Sequence, residues 1–322
     1  MPRYASRGRA TPRARPARCL ALAALALLAP CAAQAAPPPG ACALAQAPPG
    51  RALVDVPFDV VDGRIYVTAR VNDAGPFRFA VDTGASGVAR ADARLIEALG
   101  LARAGSVANS DGVHTAQADT TRLRVLALDG LQRQDVVAIT RDYNARQSED
   151  AAFDGILARE FFADGLLAID FPTRRLSFRR DVALSSAQPD TLAYARPFRI
   201  PVSIGPIAAE AQLDTGANVS FVMPAALHAR VADAPVTADG RLTLTHGEVD
   251  GARARVAGPF RVGGLSLDDV EVRVSSSYPE LVVGAHALQD AVVLIDQRAQ
   301  RVAICDGASP AEATGGRQHD GS

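Results

Sequence analysis

Apolar and polar positions alternate along most of this chain in short runs closed by turn residues, the pattern of half-buried β-strands. Ile65-Tyr66-Val67-Thr68-Ala69-Arg70-Val71 and Phe77-Arg78-Phe79-Ala80-Val81 flank Asn72-Asp73-Ala74-Gly75-Pro76, which reads as strand, turn, strand. Residues 136–139, 167–171 and 301–304 are further β-rich runs. Helices are few. Residues 92–99 form one expected helix, stopped by Gly100, and residues 224–230, opening on Pro224, form its counterpart. The polar stretch 141–152 is expected to be a mobile loop.

The strands belong to a tandem repeat. Val81-Asp82-Thr83-Gly84-Ala85 recurs as Leu213-Asp214-Thr215-Gly216-Ala217, with the acids 132 residues apart (214 − 82). Leu128-Asp129-Gly130-Leu131 matches Val262-Gly263-Gly264-Leu265, and Ile156-Leu157-Ala158 matches Val282-Val283-Gly284. Beyond that point Leu167, Ile169, Asp170, Arg175 and Phe178 fall without gaps on Val293, Ile295, Asp296, Arg301 and Ile304. Anchors in one order with small changes of offset indicate duplication. A carboxylate between an apolar run and a Thr-Gly turn is held at the end of a buried strand. Two such carboxylates from two similar halves can face each other and share one proton, because like charges in contact cannot both ionise.

Composition narrows the alternatives. The chain has 322 residues, 48% apolar and 21% charged, enough for two globular domains. A formal net charge of −1 gives no electrostatic reason to expect a nucleic-acid partner, and with 5% aromatic residues and no Trp, stacking platforms are not expected. Arg3, Arg7, Arg9, Arg13, Arg15 and Arg18 precede an apolar run over 19–29, and Ala33-Gln34-Ala35 follows, so residues 1–35 read as an export signal. The run is too short for a permanent membrane span. Leu28-Ala29-Pro30-Cys31 fits a lipoprotein box poorly because of Pro30, which favours a free exported protein over a lipid-anchored one. Removal of the signal leaves two cysteines, Cys42 and Cys305, expected as one disulfide in an oxidising compartment. The expected layout is signal 1–35, tether 36–52, a first repeat 53–180, linker 181–194, a second repeat 195–306 and a disordered tail 307–322.

On the Asp-Thr-Gly-Ala phrases and the later apolar-apolar-Gly phrase, the chain resembles the retropepsin-like and pepsin-like aspartic proteases, most nearly bacterial exported members with two tandem lobes. The likeness covers both repeats. It implies an all-β, bilobal acid-protease fold: two retropepsin-like β-barrel lobes in one chain, related by a pseudo-twofold axis, with a cleft between them. Asp82 and Asp214 would be the catalytic pair, supported by Thr83, Gly84 and Ser86 from one turn and Thr215, Gly216 and Asn218 from the other. Ser86 has the alternative role of capping the following turn. In the second phrase Ala158 stands where the family has Gly, and its methyl is expected to crowd the loop against the Asp82 turn. His114 and His246 each follow an acid by 32 residues (114 − 82, 246 − 214), where the likeness puts a flap over the cleft. They are read either as exposed loop residues or as groups that charge the cleft mouth at low pH.

The implied activity is that of an aspartic endopeptidase acting on an extended peptide, with no cofactor and no metal, as an exported (periplasmic or secreted) monomer without a membrane span. The alternative is a non-catalytic peptide-binding or envelope-interaction protein on the same fold. A serine-hydrolase elbow is excluded, since Val88 follows Gly84-Ala85-Ser86-Gly87 where a second Gly is required. The five histidines lack metal-ligand spacing.

Overall fold

The computed structural model describes residues 39–46, 50–232, 235–237 and 240–307. The expected export signal and residues 308–322 of the expected tail lie outside the described residues. The described chain is built mainly of strands, as the alternation predicts. In Arg64–Val71, Ile65, Val67, Ala69 and Val71 all enter the core, which fixes the register against Ala74–Asp82. The intervening turn carries Asn72 and Asp73 at positive φ (51° and 69°), a conformation that Asn and Asp adopt more readily than most residues.

One eight-stranded sheet runs, in spatial order, Asp59–Val61, Arg64–Val71, Ala74–Asp82, Gly155–Ala158, Ala89–Asp92, Leu131–Arg141, Thr115–Leu128 and Arg103–Ser110. A second contains Ala252–Val256, Val270–Ser275, Phe221–Pro224, Leu281–Gly284, Ile207–Asp214 and Arg199–Ile204 in that order, continued by Phe260–Val262 and Leu265–Leu267. Each acid therefore ends an interior strand. Ala74–Asp82 pairs in parallel with Gly155–Ala158, setting Asp82 beside Ala158, and Ile207–Asp214 pairs in parallel with Leu281–Gly284, setting Asp214 beside Gly284. Strand neighbours on both sides hold the backbone before each Asp rigidly.

A six-stranded sheet joins the two repeats. Leu166–Asp170 pairs antiparallel with Ala291–Asp296, so that the repeat-equivalent residues Leu167 and Val293 lie on adjacent strands. One continuous apolar core draws on both repeats, from Val54 to Ile304. The helices are short. Ala93–Leu99 is capped by the Asp92 carboxylate, which accepts from Arg94 N–H at 2.9 Å, and ends at Gly100 in the left-handed region (φ 60°). Ala225–Val231 follows Pro224. Cys42, in the helix Cys42–Gln46, is disulfide-bonded to Cys305, closing a span of 263 residues.

Two stretches are more firmly held than their composition suggests. The expected mobile loop 141–152 is anchored: Tyr143 N–H donates to the buried Asp92 carboxylate at 2.7 Å, and Asn144 makes reciprocal bonds with the Phe153 backbone at 2.8 and 3.0 Å. Side chains satisfy its backbone, so it needs no ladder of its own. The expected linker 181–194 is tied by Leu184 N–H to the fully buried Asp296 carboxylate, and Leu192–Ala193 pairs with the strand Arg301–Asp306.

Candidate functional site

Asp82 and Asp214 meet at the floor of a cleft of about 890 Å³, each at the end of an apolar strand. They lie close enough for the Asp82 charge to act directly on the Asp214 carboxyl. Asp82 Oδ1 accepts from Ala85 N–H at 2.8 Å, and Asp214 Oδ1 accepts from Gly216 N–H at 2.8 Å. Beneath them the two threonines exchange four bonds. Thr83 Oγ1 donates to Leu213 O at 3.1 Å and accepts from Thr215 N–H at 3.0 Å, while Thr215 Oγ1 donates to Val81 O at 2.8 Å and accepts from Thr83 N–H at 3.1 Å. Both side chains are buried, so each bond stands in a dry setting where losing a partner is costly. The glycines serve by their size. A Cβ on Gly84 would stand 2.4 Å from Asp214 Cγ, and one on Gly216 would stand 2.4 Å from Asp82 Cγ. Each Thr-Gly turn thus passes directly against the opposite carboxylate.

Among the described residues, the side chains of Ser86 and Asn218 make their hydrogen bonds elsewhere than to the acids. Ser86 Oγ accepts from Arg90 Nη2 at 3.4 Å. Asn218 Oδ1 accepts from Arg64 Nη2 at 3.2 Å, and its amide donates to Asp62. The backbone N–H groups of Ala85 and Gly216 support the carboxylates instead.

Arginines buttress the turns from outside: Arg64 Nε donates to Gly216 O at 2.7 Å, and Arg159 Nη1 to Gly84 O at 3.4 Å.

The expected crowding at Ala158 does not arise. Gly284 N–H, Ala285 N–H and His286 N–H donate to Ser220, Ala217 and Val219 carbonyls. In the first repeat Ala158 N–H, Arg159 N–H and Glu160 N–H donate in the same way to Val88, Ala85 and Gly87. A Cβ on Gly284 would meet Val219 O at 2.2 Å. The first repeat has Gly87 where the second has Val219, and at φ +82° its backbone takes a course closed to valine. Glycine has moved from one side of the contact to the other.

Two hairpins arch over the cleft, one joining Arg103–Ser110 to Thr115–Leu128 and the other joining Arg241–Leu244 to Gly247–Asp250. His114 and His246 sit at their turns. Asp111 links the tips: its Oδ1 accepts from His114 N–H and its Oδ2 from His246 N–H, both at 2.7 Å. Burial works against the Asp111 charge, but the N–H groups of His114, His246 and Val113 together hold its carboxyl below the ordinary range. The two histidines part company here. His114 is exposed and does not line the cleft, whereas His246 does, with Nε2 3.0 Å from Asn109 Nδ2 and Nδ1 2.9 Å from Arg141 Nη2. Burial first, and then the Arg141 charge, lower the His246 pKa.

The acid pair is electrostatically unusual. Burial pushes the Asp214 carboxyl up to about 7, and the adjacent Asp82 charge adds to the rise; the Gly216 N–H and Arg64 oppose it. With burial and the neighbouring charge favouring a proton on Asp214, one carboxyl can donate while the other accepts. Among the described residues no cluster of His, Cys, Asp and Glu has the arrangement of a metal site, and no helix is long and apolar enough to cross a membrane.

Arg64, Arg90, Arg159, Tyr143, Asp111 and Tyr278 all reach the cleft and carry no motif in the sequence. For Arg90 a signal existed. The offset of 132 that relates the acids relates it to Val222 (90 + 132), a charge against an apolar residue. A family model described as aspartyl protease matches residues 67–170, a segment that holds Asp82 and the Ile156-Leu157-Ala158 phrase. This supports an aspartyl protease family for the chain. No curated protein matches it.

Proposed function

We propose that the protein is an aspartic endopeptidase with Asp82 and Asp214 as its catalytic pair. The observation that carries the reading is the pairing itself: two strand-end carboxyls on one cleft floor, each against the other's Thr-Gly turn, with Asp214 pushed up to about 7 by burial and the Asp82 charge. In the active state one carboxylate takes a proton from a water as its oxygen attacks the peptide carbonyl carbon. The other carboxyl donates its proton to the carbonyl oxygen, giving a neutral gem-diol. Collapse of that intermediate returns a proton to the leaving nitrogen and breaks the C–N bond, and the pair again holds one proton.

Thr83 and Thr215 fix the spacing of the pair, and Gly84 and Gly216 let each turn approach the opposite acid. The proposal extends to two lobes related by a pseudo-twofold axis, divided near 53–180 and 195–306, and to a monomer, since both acids lie in one chain. The substrate would lie extended beneath the two hairpins, its backbone pairing in the manner of strand addition. The disulfide suits an oxidising compartment, which supports export to the periplasm or beyond. Ala158, which stands where the family has Gly, is accommodated by Gly87 and so gives no reason to prefer a binding protein without turnover.

The test is cleavage of a diverse peptide library by the wild type and by Asp82→Asn and Asp214→Asn, followed by mass spectrometry. Cuts made by the wild type and absent from both variants support the reading, and identical cut patterns in all three would refute it.

A further inference from the structure

The cleft is not equivalent on its two sides. In the strand Ala89–Asp92 the alanines 89 and 91 enter the core, so Arg90 points to the opposite face and lines the cleft. It pairs with Ile156 across the sheet. In the second repeat Phe221 and Met223 enter the core, and Val222 lines the cleft and pairs with Val282. The surroundings of Val222 are apolar: Leu242, Leu244, Val282, Ala217 and the Tyr278 ring. The same position on the other side of the acid pair holds a guanidinium.

That guanidinium is poorly satisfied. Arg90 is 6% exposed, yet among the described residues its only hydrogen bonds are to Ala89 O at 3.3 Å and Ser86 Oγ at 3.4 Å, and no carboxylate lies within ion-pair distance. Glu160, across Gly87, is engaged through Oε1 by Arg159 Nε at 3.2 Å, and its Oε2 has no partner. Tyr143, also on the cleft wall, has a buried hydroxyl with no partner. Burial raises its pKa to about 12, so it stays a neutral donor at any working pH. A buried cation and a buried O–H donor thus belong to one wall of the cleft, and the nearest unpaired acceptor, Glu160 Oε2, lies across Gly87 without bonding either, a costly arrangement. A carboxylate, with two oxygens and no proton to donate, satisfies both and fits the planar fork of arginine.

We propose that Arg90 determines the specificity of a carboxylate-binding subsite beside Asp82, so that the cleft selects a peptide with an Asp or Glu side chain on the Arg90 side of the catalytic pair and an apolar side chain on the Val222 side. The proposal rests on the cleft being a peptide site. Neutral Gln in place of Glu leaves the cation without its counter-charge, and discrimination of about tenfold or more follows from a charge-assisted bond in a desolvated site.

The experiment uses acetylated, amidated peptides in pairs that differ only by Glu or Gln at one position near the cut, assayed above about pH 5 so that Glu is ionised. The wild type is expected to show one position where Glu exceeds Gln by about tenfold or more in kcat/KM. Arg90→Val, which copies the second repeat, should abolish that preference and favour Leu there, while still cutting the Gln peptide. Arg90→Gln serves the same purpose should the valine variant not fold, and must bring the Glu-to-Gln ratio to about one. The absence of any Glu preference in the wild type, or its persistence in a folded Arg90 variant, overturns the proposal. Should the wild type cut no peptide, the protease reading fails by itself. Anisotropy titration of the same peptides, fluorescently labelled, then decides the subsite: tighter binding of the Glu peptides that vanishes in Arg90→Gln upholds it, and equal affinities overturn it.

Discussion

Replacing Thr215 by Val exchanges one hydroxyl for a methyl of nearly the same shape, at a residue with no exposed surface. Two of the four bonds that cross between the Asp-Thr-Gly turns go with it: Thr215 Oγ1 to Val81 O at 2.8 Å and Thr83 N–H to Thr215 Oγ1 at 3.1 Å. Neither the Val81 carbonyl nor the Thr83 N–H gains water in return, because Val81 and Thr83 are each only 2% exposed. At about 1–3 kcal/mol for each buried group left without a partner, the loss comes to about 2–6 kcal/mol. Thr215→Ser keeps the oxygen and loses a methyl, a cost of about 1 kcal/mol. The chain has no Trp, so urea unfolding is best followed by circular dichroism. Activity should fall more steeply than stability, since the same bonds fix the carboxyl spacing. A valine variant within about 0.5 kcal/mol of the wild type, or a serine variant as damaged as the valine one, would refute the reasoning.

Gly84→Ala and Gly216→Ala each drive a methyl into the opposite carboxyl; kcat/KM should fall at least about 100-fold, whereas Ala158→Gly should leave activity near wild type and cost about 1 kcal/mol or less in unfolding. Arg64 lowers the Asp214 pKa, so removing its charge in Arg64→Met raises that pKa further, and the alkaline limb of the pH–rate profile should move to higher pH. A limb that stays in place or moves to lower pH would count against this electrostatic role. Reduction of the bond between Cys42 and Cys305, or Cys42→Ser, should lower the unfolding free energy by about 2–5 kcal/mol, as measured in urea, while leaving kcat/KM unchanged, since neither cysteine lines the cleft.

The parts of the site legible in the sequence are those written twice. Asp82 and Asp214 emerge from registration of two repeats, and the strands around them follow from alternation that the core enforces, as in Arg64–Val71. Cys42 and Cys305 follow from counting. The cleft wall was hidden for a different reason. All 34 basic residues of this chain are Arg, so an arginine at any one position carries no signal. What distinguishes Arg90 is the face of its strand and, among the described residues, the lack of an ion pair, and both depend on folding. Ser86 and Asn218 sit at equivalent places after the acids, but their side chains turn to arginines, Ser86 to Arg90 four residues on and Asn218 to Arg64 from the other repeat. The loop 141–152 reads as mobile because its anchors, Asp92 and the Phe153 backbone, cannot be inferred from its own composition.

The central claim is that Asp82 and Asp214 act as one proton-sharing unit. It is tested most directly by kcat/KM for a single blocked peptide from about pH 3 to about pH 8, in the wild type and in Asp82→Asn and Asp214→Asn. A bell-shaped wild-type profile is expected, with an alkaline limb near pH 7 as the shared proton leaves, and losses of about 1,000-fold or more in both variants across the range. Cleavage that persists in either Asn variant at wild-type rates, or a wild-type rate that does not change through pH 7, would contradict it.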